Sequence, residues 1–272
     1  MSDDVVVVED IGPVRRLTMN RPDALNALNG DLIAGIARQI EAAGAAESVS
    51  VVILRGAGRA FCAGYDLTED AGGGVMDARR WHEDLHHSTE GMLQILDCPK
   101  PVIASVQSYC LAGGTDLMLA CDLAVAADDS YFGYVDVRFG SGVVSMFLPW
   151  VVGVRKAKEL LFTGEDRLPA DEALRVGLVN RVVPRDQLDE QTLALAQEIA
   201  KNEPFVIQTT KRAVNRVWDV AGFRAAMAAN VELDVMIETA NLPTRDEFRR
   251  ITNEQGLKAA IAWRDAKFRE NG

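Results

Sequence analysis

Two glycines, a threonine and an aspartate stand in a row at Gly113-Gly114-Thr115-Asp116, and a second aspartate closes the stretch Phe132-Gly133-Tyr134-Val135-Asp136. Glycines at the mouth of a helix leave backbone N–H groups free to hold a developing negative charge. Two carboxylates delivered to one place supply an acid and a base. A third segment, Phe61-Cys62-Ala63-Gly64-Tyr65-Asp66, sets another glycine-containing turn behind a buried strand. The combination suits a site that polarises a carbonyl and moves protons beside it. Each piece alone has a plainer reading. Glycine clusters serve turns that need unusual backbone angles, an aspartate in a first helical turn is stabilised by the helix dipole, and Asp136 suits a solvated turn.

The elements that must position these residues alternate. Residues 5–8 and 14–19, separated by Gly12-Pro13, read as a hairpin-like opening. Residues 26–45 carry helical spacing at Leu28, Leu32, Ile33, Ile36 and Ile40, with Gly44 near the end. Short apolar strands are predicted at 51–54, 101–106 and 123–126, with helical stretches near 92–96 and 115–120 between them. This alternation argues for an α/β architecture. From about Pro169 the character turns helical, at 170–176, Leu188–Ala200, 205–217 and, apart from Gly256, 254–269. The division falls near residue 195, giving an α/β core over 1–195 and a helical C-terminal region over 196–272 with no low-complexity tether between them.

Bulk properties narrow the function classes. The 272 residues are 48% hydrophobic and 25% charged, the balance of an ordinary globular protein. A net charge of −11 argues against general nucleic-acid binding, which rests on phosphate neutralisation. No segment approaches the ~20 apolar residues of a membrane span, and the acidic start Met1-Ser2-Asp3-Asp4 runs into valines rather than a signal peptide. Cys62, Cys98, Cys110 and Cys121 lie scattered in apolar surroundings without metal-ligand spacing, which points to reduced core thiols and a cytoplasmic protein.

The joint order of the motifs resembles the enoyl-CoA hydratase/isomerase, or crotonase, superfamily over nearly the whole length. The matching stretches are Asn20-Arg21-Pro22-Asp23-Ala24-Leu25-Asn26-Ala27-Leu28, Ala60-Phe61-Cys62-Ala63-Gly64-Tyr65-Asp66-Leu67, Pro99-Lys100-Pro101-Val102-Ile103-Ala104 and residues 111–122. Leu161-Phe162-Thr163-Gly164, Ala170-Asp171-Glu172-Ala173 and Gly177-Leu178-Val179 complete the set. The resemblance implies a crotonase-like spiral of ββα units with a helical C-terminal region that supports a homotrimer or a dimer of trimers. It implies an acyl-CoA ligand whose thioester oxygen sits between the backbone N–H groups at the positions of Tyr65 and Gly113. Coenzyme A is then part of the substrate, and no metal or redox cofactor is expected. Ala24, Leu25 and Asn26, together with Ala63, Gly64, Asp66 and Leu67, match the coenzyme A-contacting backbone, and Lys267 and Phe268 match a region where a neighbouring subunit can touch the adenine or its phosphates, with a solvated amphipathic tail as the plainer reading.

In hydratases of the family two glutamates position water and deliver a proton across the C2=C3 bond. Asp116 and Asp136 occupy those positions, each one methylene and so roughly 1.5 Å shorter. Past Asp136 the chain reads Val137-Arg138-Phe139-Gly140-Ser141-Gly142-Val143-Val144-Ser145-Met146, where family hydratases carry a Gly/Pro-rich turn and a Gln-Arg pair. Val144 stands where dienoyl isomerases carry a further aspartate, which disfavours that reaction. Syn hydration of a 2-enoyl-CoA is the leading expectation. An enoyl-CoA isomerase or acyl-CoA hydrolase using one aspartate, and a non-catalytic acyl-CoA-binding protein, stay open beside it.

Trp81-His82-Glu83-Asp84-Leu85-His86-His87 holds every histidine of the chain. Two histidines at i, i+4 with a glutamate between them formally match a zinc-protease pattern. A polar helix face is the weightier reading, with a histidine acid or base beside the acyl pocket as a secondary idea. Phe147 and Trp150 are expected to pack rather than to receive substrate.

Overall fold

The computed structural model describes residues 4–68, 77–142 and 146–269. Strands β1 (Val6–Ile11) and β2 (Val14–Met19) form the expected hairpin, antiparallel from Val6 opposite Met19 to Ile11 opposite Val14. The larger sheet continues in parallel through β3 (Val51–Gly56), β4 (Val102–Val106), β6 (Leu123–Ala127) and β9 (Arg181–Val183). A smaller sheet joins β5 (Tyr109–Leu111), β7 (Tyr131–Gly133) and β8 (Leu168–Pro169) in that order. Strands β4 and β6 lie in the large sheet, and their successors β5 and β7 pair in the small one. The chain therefore repeats a two-strand step, followed by α3 (Gly113–Leu119) the first time and by a 3-10 turn (Asp136–Phe139) the second.

Alternation along the strands sorts the core into layers. Val52, Leu54, Val102, Ala104 and Val106 face α1 (Gly30–Ala45) and α2 (Ala78–Asp97) in the main apolar core. Val51, Ile53 and Ile103 face the opposite way, onto Leu188 and Ala196 of α7 (Leu188–Ala200). A parallel sheet covered on both faces needs such continuous apolar strands. The division read at residue 195 falls inside α7, whose buried Leu188, Thr192 and Ala196 all belong to the sheet side of the molecule.

Helix boundaries moved where tertiary contacts overrode local pattern. The helix read from residue 26 begins at Gly30, capped by the Asn29 side chain accepting from the Leu32 N–H at 3.0 Å. Leu25 and Asn26 instead take left-handed angles, φ 52° and 55°. The 254–269 stretch is two helices, α10 (Pro243–Gln255) and α11 (Leu257–Arg269), parted at Gly256 with φ 87°. Helices α4 (Leu148–Val152), α5 (Val154–Thr163), α6 (Ala170–Arg175), α8 (Pro204–Val220) and α9 (Phe223–Glu238) complete the described chain. Phe147 and Trp150 pack on Phe223, each with ring centroids 5.3 Å apart, and Trp218 joins the cluster. No helix among the described residues is long and apolar enough to cross a membrane.

Candidate active site

Three parallel segments lie side by side and each contributes one part of the site. Cys62 forms a parallel bridge with Cys110 of β5, and β5 pairs in parallel with β7, Leu111 opposite Gly133. Just past the C-terminal ends of these segments come Tyr65, then Gly113 with Asp116, then Asp136. The ends of neighbouring parallel strands are where an α/β fold gathers functional groups. The order of the motifs in the sequence thereby becomes proximity in space.

The Tyr65 and Gly113 N–H groups are both free of acceptors among the described residues. A parallel bridge between Leu28 and Tyr65 uses the Leu28 N–H to Gly64 O, at 2.8 Å, and the Asp66 N–H to Leu28 O, at 2.9 Å. The Tyr65 N–H between them points the other way, and neither it nor the Gly113 N–H donates to an acceptor among the described residues. Gly113 opens α3, where the first N–H groups have no intrahelical acceptor. Ala112 ahead of it holds φ 51°, ψ −128°, a strained setting for a residue with a Cβ, pinned by its N–H bond to Gly133 O at 2.7 Å. A Cβ on Gly113 would stand 2.5 Å from the Tyr65 ring, and one on Gly114 2.5 Å from Cys62 O, so close approach of the segments demands both glycines.

The carboxylates differ in surroundings. Asp116 is buried in the first turn of α3, where Oδ1 accepts the Tyr134 hydroxyl at 2.9 Å. Asp136 keeps some surface as a residue, but protein encloses its carboxyl, and that burial pushes its pKa up to about 7. Its own backbone N–H and Arg264 oppose the rise, and Glu238 adds to it. Burial first, and then the charge of Asp116, drives both the Tyr65 and Tyr134 phenols well above their ordinary pKa, with Asp136 adding to each. The two aspartates thus bear on the same pair of hydroxyls.

The other sequence-predicted residues take definite places. Ala63 donates to Leu25 O at 3.1 Å, tying the 24–26 and 63–67 loops together. The Asn26 side chain is wholly buried and spent on structure: its Nδ2 donates to Ala57 O and Ala60 O, each at 2.9 Å, and its Oδ1 accepts from the Arg21 N–H. Asp66 pairs with Arg21 at 2.7 Å. Burial raises its pKa, but Thr68 and Arg21 outweigh that and leave it below the ordinary value. Lys267 is exposed and lies 4.5 Å over the Trp263 ring of its own helix, while Phe268 receives the Arg138 guanidinium at 4.3 Å. Arg138 sits in the 3-10 turn that begins at Asp136, so the chain's own C-terminal helix reaches the border of the site. His82 and His86 do share the outer face of α2. His82 meets Glu232 of α9 at 3.0 Å and His86 meets Glu90 at 3.6 Å. No group of three or more His, Cys, Asp or Glu among the described residues is arranged to hold a metal ion. All four cysteines are free and buried, and burial lifts the Cys62 thiol to about 12. Val144 lies outside the described residues.

Residues without a sequence signal of their own form the outer support. Tyr134 was visible only as a neighbour of Asp136. Glu238 of α9 accepts from the Gly142 N–H at 3.1 Å and from the Ser141 hydroxyl. Buried Arg245 of α10 donates to Glu238 O at 2.6 Å, to Ile237 O and to Gly140 O. Together they clamp the loop that follows Asp136. Asp234 of α9, 2% exposed, has no hydrogen-bond partner on either carboxyl oxygen among the described residues.

Comparison with known proteins yields one family. A sequence model described as enoyl-CoA hydratase/isomerase matches residues 11–261. A short-chain-enoyl-CoA hydratase of Clostridium acetobutylicum is 36% identical over 217 residues, covering 78% of this chain and 81% of the relative. The crystal structure of an enoyl-CoA hydratase/isomerase from Xanthobacter autotrophicus Py2 superposes with a TM-score of 0.94 at 40% identity, covering 97% of this chain and 98% of that one. An enoyl-CoA hydratase from Mycobacterium smegmatis superposes at 0.89 with 26% identity, over 97% of this chain and 94% of its own.

Proposed function

The chain belongs to the enoyl-CoA hydratase/isomerase family, and from that membership we propose that it adds water across the C2=C3 bond of a 2-enoyl-CoA thioester. The observation that carries this reading is a pair of free backbone N–H groups, Tyr65 and Gly113, set among the same segments as two enclosed aspartates. Both N–H groups donate to the thioester oxygen. The electron pair of C2=C3 is drawn toward that oxygen, and C3 becomes the electrophile. Asp116, oriented by the Tyr134 hydroxyl, takes a proton from water as its oxygen bonds to C3. The enolate is held by the two N–H groups, a contribution of roughly 3–4 kcal/mol for each such donor in comparable sites. Asp136, whose pKa near 7 leaves it protonated in a large fraction of molecules at neutrality, delivers a proton to C2. A proton passing from Asp116 back to Asp136 restores the site, and the sum is one water added. No cofactor takes part, since coenzyme A arrives as part of the substrate.

In this reading the acyl chain's coenzyme A moiety runs along the backbone of Ala24, Leu25 and Asn26 and along Ala63, Gly64, Asp66 and Leu67. Lys267, exposed, and Phe268 are the residues that a neighbouring subunit would bring to its adenine or phosphates. Four unpaired, buried thiols support a reducing, cytoplasmic setting. The assembly is a homotrimer or a dimer of trimers, supported by the uncovered apolar row of α8.

Steady-state assays with a short and a long 2-enoyl-CoA test the reaction. Asp116→Asn and Asp136→Asn are each expected to lower kcat by about 100-fold or more, the usual scale of a lost acid or base. Calorimetric binding of a nonreactive acyl-CoA to both variants should remain close to wild type. Wild-type protein that binds the ester but gives no turnover above buffer would overturn hydration. Transfer of a double bond from C3 to C2 that survives Asp116→Asn would establish a single-aspartate isomerase instead.

A further inference from the structure

Tyr65 offers more than its backbone. Its hydroxyl is buried and has no hydrogen-bond partner among the described residues, whereas the Tyr134 hydroxyl is committed to Asp116. Ser88 of α2 lies near enough to pull slightly against the rise in the phenol's pKa, but outside hydrogen-bonding geometry. A buried hydroxyl without an acceptor destabilises a fold unless something else supplies one. The ring is held in place from both ends. Its backbone is fixed by the bridge to Leu28, and its edge lies across Gly113, with Cε2 2.5 Å from where a Cβ would stand. From that anchor beside the thioester-oxygen position, the hydroxyl extends to where Asp116 and Asp136 both act on it. In an acyl-CoA seated between the two N–H groups, the atom two bonds beyond the thioester carbon is C3.

We propose that the Tyr65 hydroxyl is a substrate-contacting hydrogen-bond donor that holds the oxygen carried by C3, first as the attacking water and then as the 3-hydroxyl. The inference rests on the reading that an acyl-CoA occupies this site. Burial and the two neighbouring carboxylates keep the phenol protonated, so it donates and does not act as a base. Its consequence is selectivity: a thioester with oxygen at C3 fills an otherwise unmet donor, and one without it does not.

Tyr65→Phe tests this, because it keeps the ring against Gly113 and the backbone N–H while removing only the hydroxyl. Calorimetry with 3-hydroxybutyryl-CoA and with butyryl-CoA gives a ratio of dissociation constants for each protein. The ratio is expected to favour the hydroxy ester in wild type and to fall about 5- to 10-fold in Tyr65→Phe, the scale of one neutral hydrogen bond, with the butyryl-CoA constant changed by less than about twofold. In crotonyl-CoA hydration, kcat should fall with KM nearly constant, and Tm should not drop. Tyr134→Phe serves as contrast for stability: it removes a hydroxyl already bonded to Asp116, so Tm should fall. Equal ratios in wild type and Tyr65→Phe, with wild-type turnover intact, would overturn the role of Tyr65 and leave the hydratase reading standing. Failure of both esters to bind wild type would overturn the two together.

Discussion

Asp116 and Asp136 are the same amino acid with different work because of what encloses them. Asp116 receives a phenolic proton at 2.9 Å and sits in the first turn of a helix. Asp136 is walled in, and burial lifts its carboxyl to about 7 despite Arg264. If Asp136 supplies the proton to C2 it must be protonated, so kcat should fall as pH rises through about 7. A pH–rate profile checks this. Asp136→Asn should remove that alkaline limb from whatever residual activity remains. An activity that falls on the acid side of neutrality instead would assign Asp136 as the base. The two residue types and their positions were legible in the sequence; the asymmetry between them was not, because it depends first on the burial of the Asp136 carboxyl and then on Arg264 and Glu238, more than a hundred positions away.

At the scale of elements, α9 is instructive because its pattern reads inside out. Its buried face carries Phe223, Met227 and Val231 and then Asp234 and Glu238, while Leu233 and Met236 point outward. Apolar periodicity therefore gave no clean helix there, although α7 was legible to its ends as Leu188–Ala200. Asp234 faces Glu238 on its own helix, Asp136 on the 3-10 turn and Arg245 on α10. Burial, followed by Glu238 and Asp136, raises its pKa from 3.8 to about 7, against the pull of Arg245. A raised folded-state pKa means that the folded protein holds the proton more tightly than the unfolded chain. The associated stability is complete below about pH 4 and is lost as pH rises through about 7, by up to about 4 kcal/mol. Asp234→Asn, which cannot ionise, should gain Tm relative to wild type as the pH is moved from 5 to 8 in thermal melts. A Tm difference independent of pH would show that Asp234 does not titrate in this range.

At the scale of the whole molecule, helix α8 leaves an apolar row uncovered among the described residues. Helix α8 buries no residue in the chain, yet it presents Phe205, Val206, Val214, Val217 and Val220 outward, with Phe205 79% and Val220 76% exposed. Leu233 and Met236 of α9 are also outward. A continuous apolar surface on a folded protein is ordinarily covered by a partner. For the proposed trimer, sedimentation should give about three times the 29.6 kDa of one chain or a multiple of it. Val217→Glu should shift the distribution toward the monomer while leaving the secondary structure seen by circular dichroism unchanged. A monomeric wild type would overturn the trimer.

The sequence by itself determined what local chemistry can encode. Apolar runs marked the strands, Gly113 and Gly114 marked the mouth of a helix, and the ordered motifs carried the family and fold. Tertiary structure alone decided which groups were left unspent. It consumed the Asn26 amide in holding a loop, bound Tyr134 to Asp116, turned the acids of α9 inward and left the Tyr65 hydroxyl without an acceptor among the described residues. The reason is physical. Backbone preference and side-chain volume are properties of a residue and its near neighbours, whereas burial, charge and hydrogen-bond satisfaction are properties of what distant segments bring to the same point.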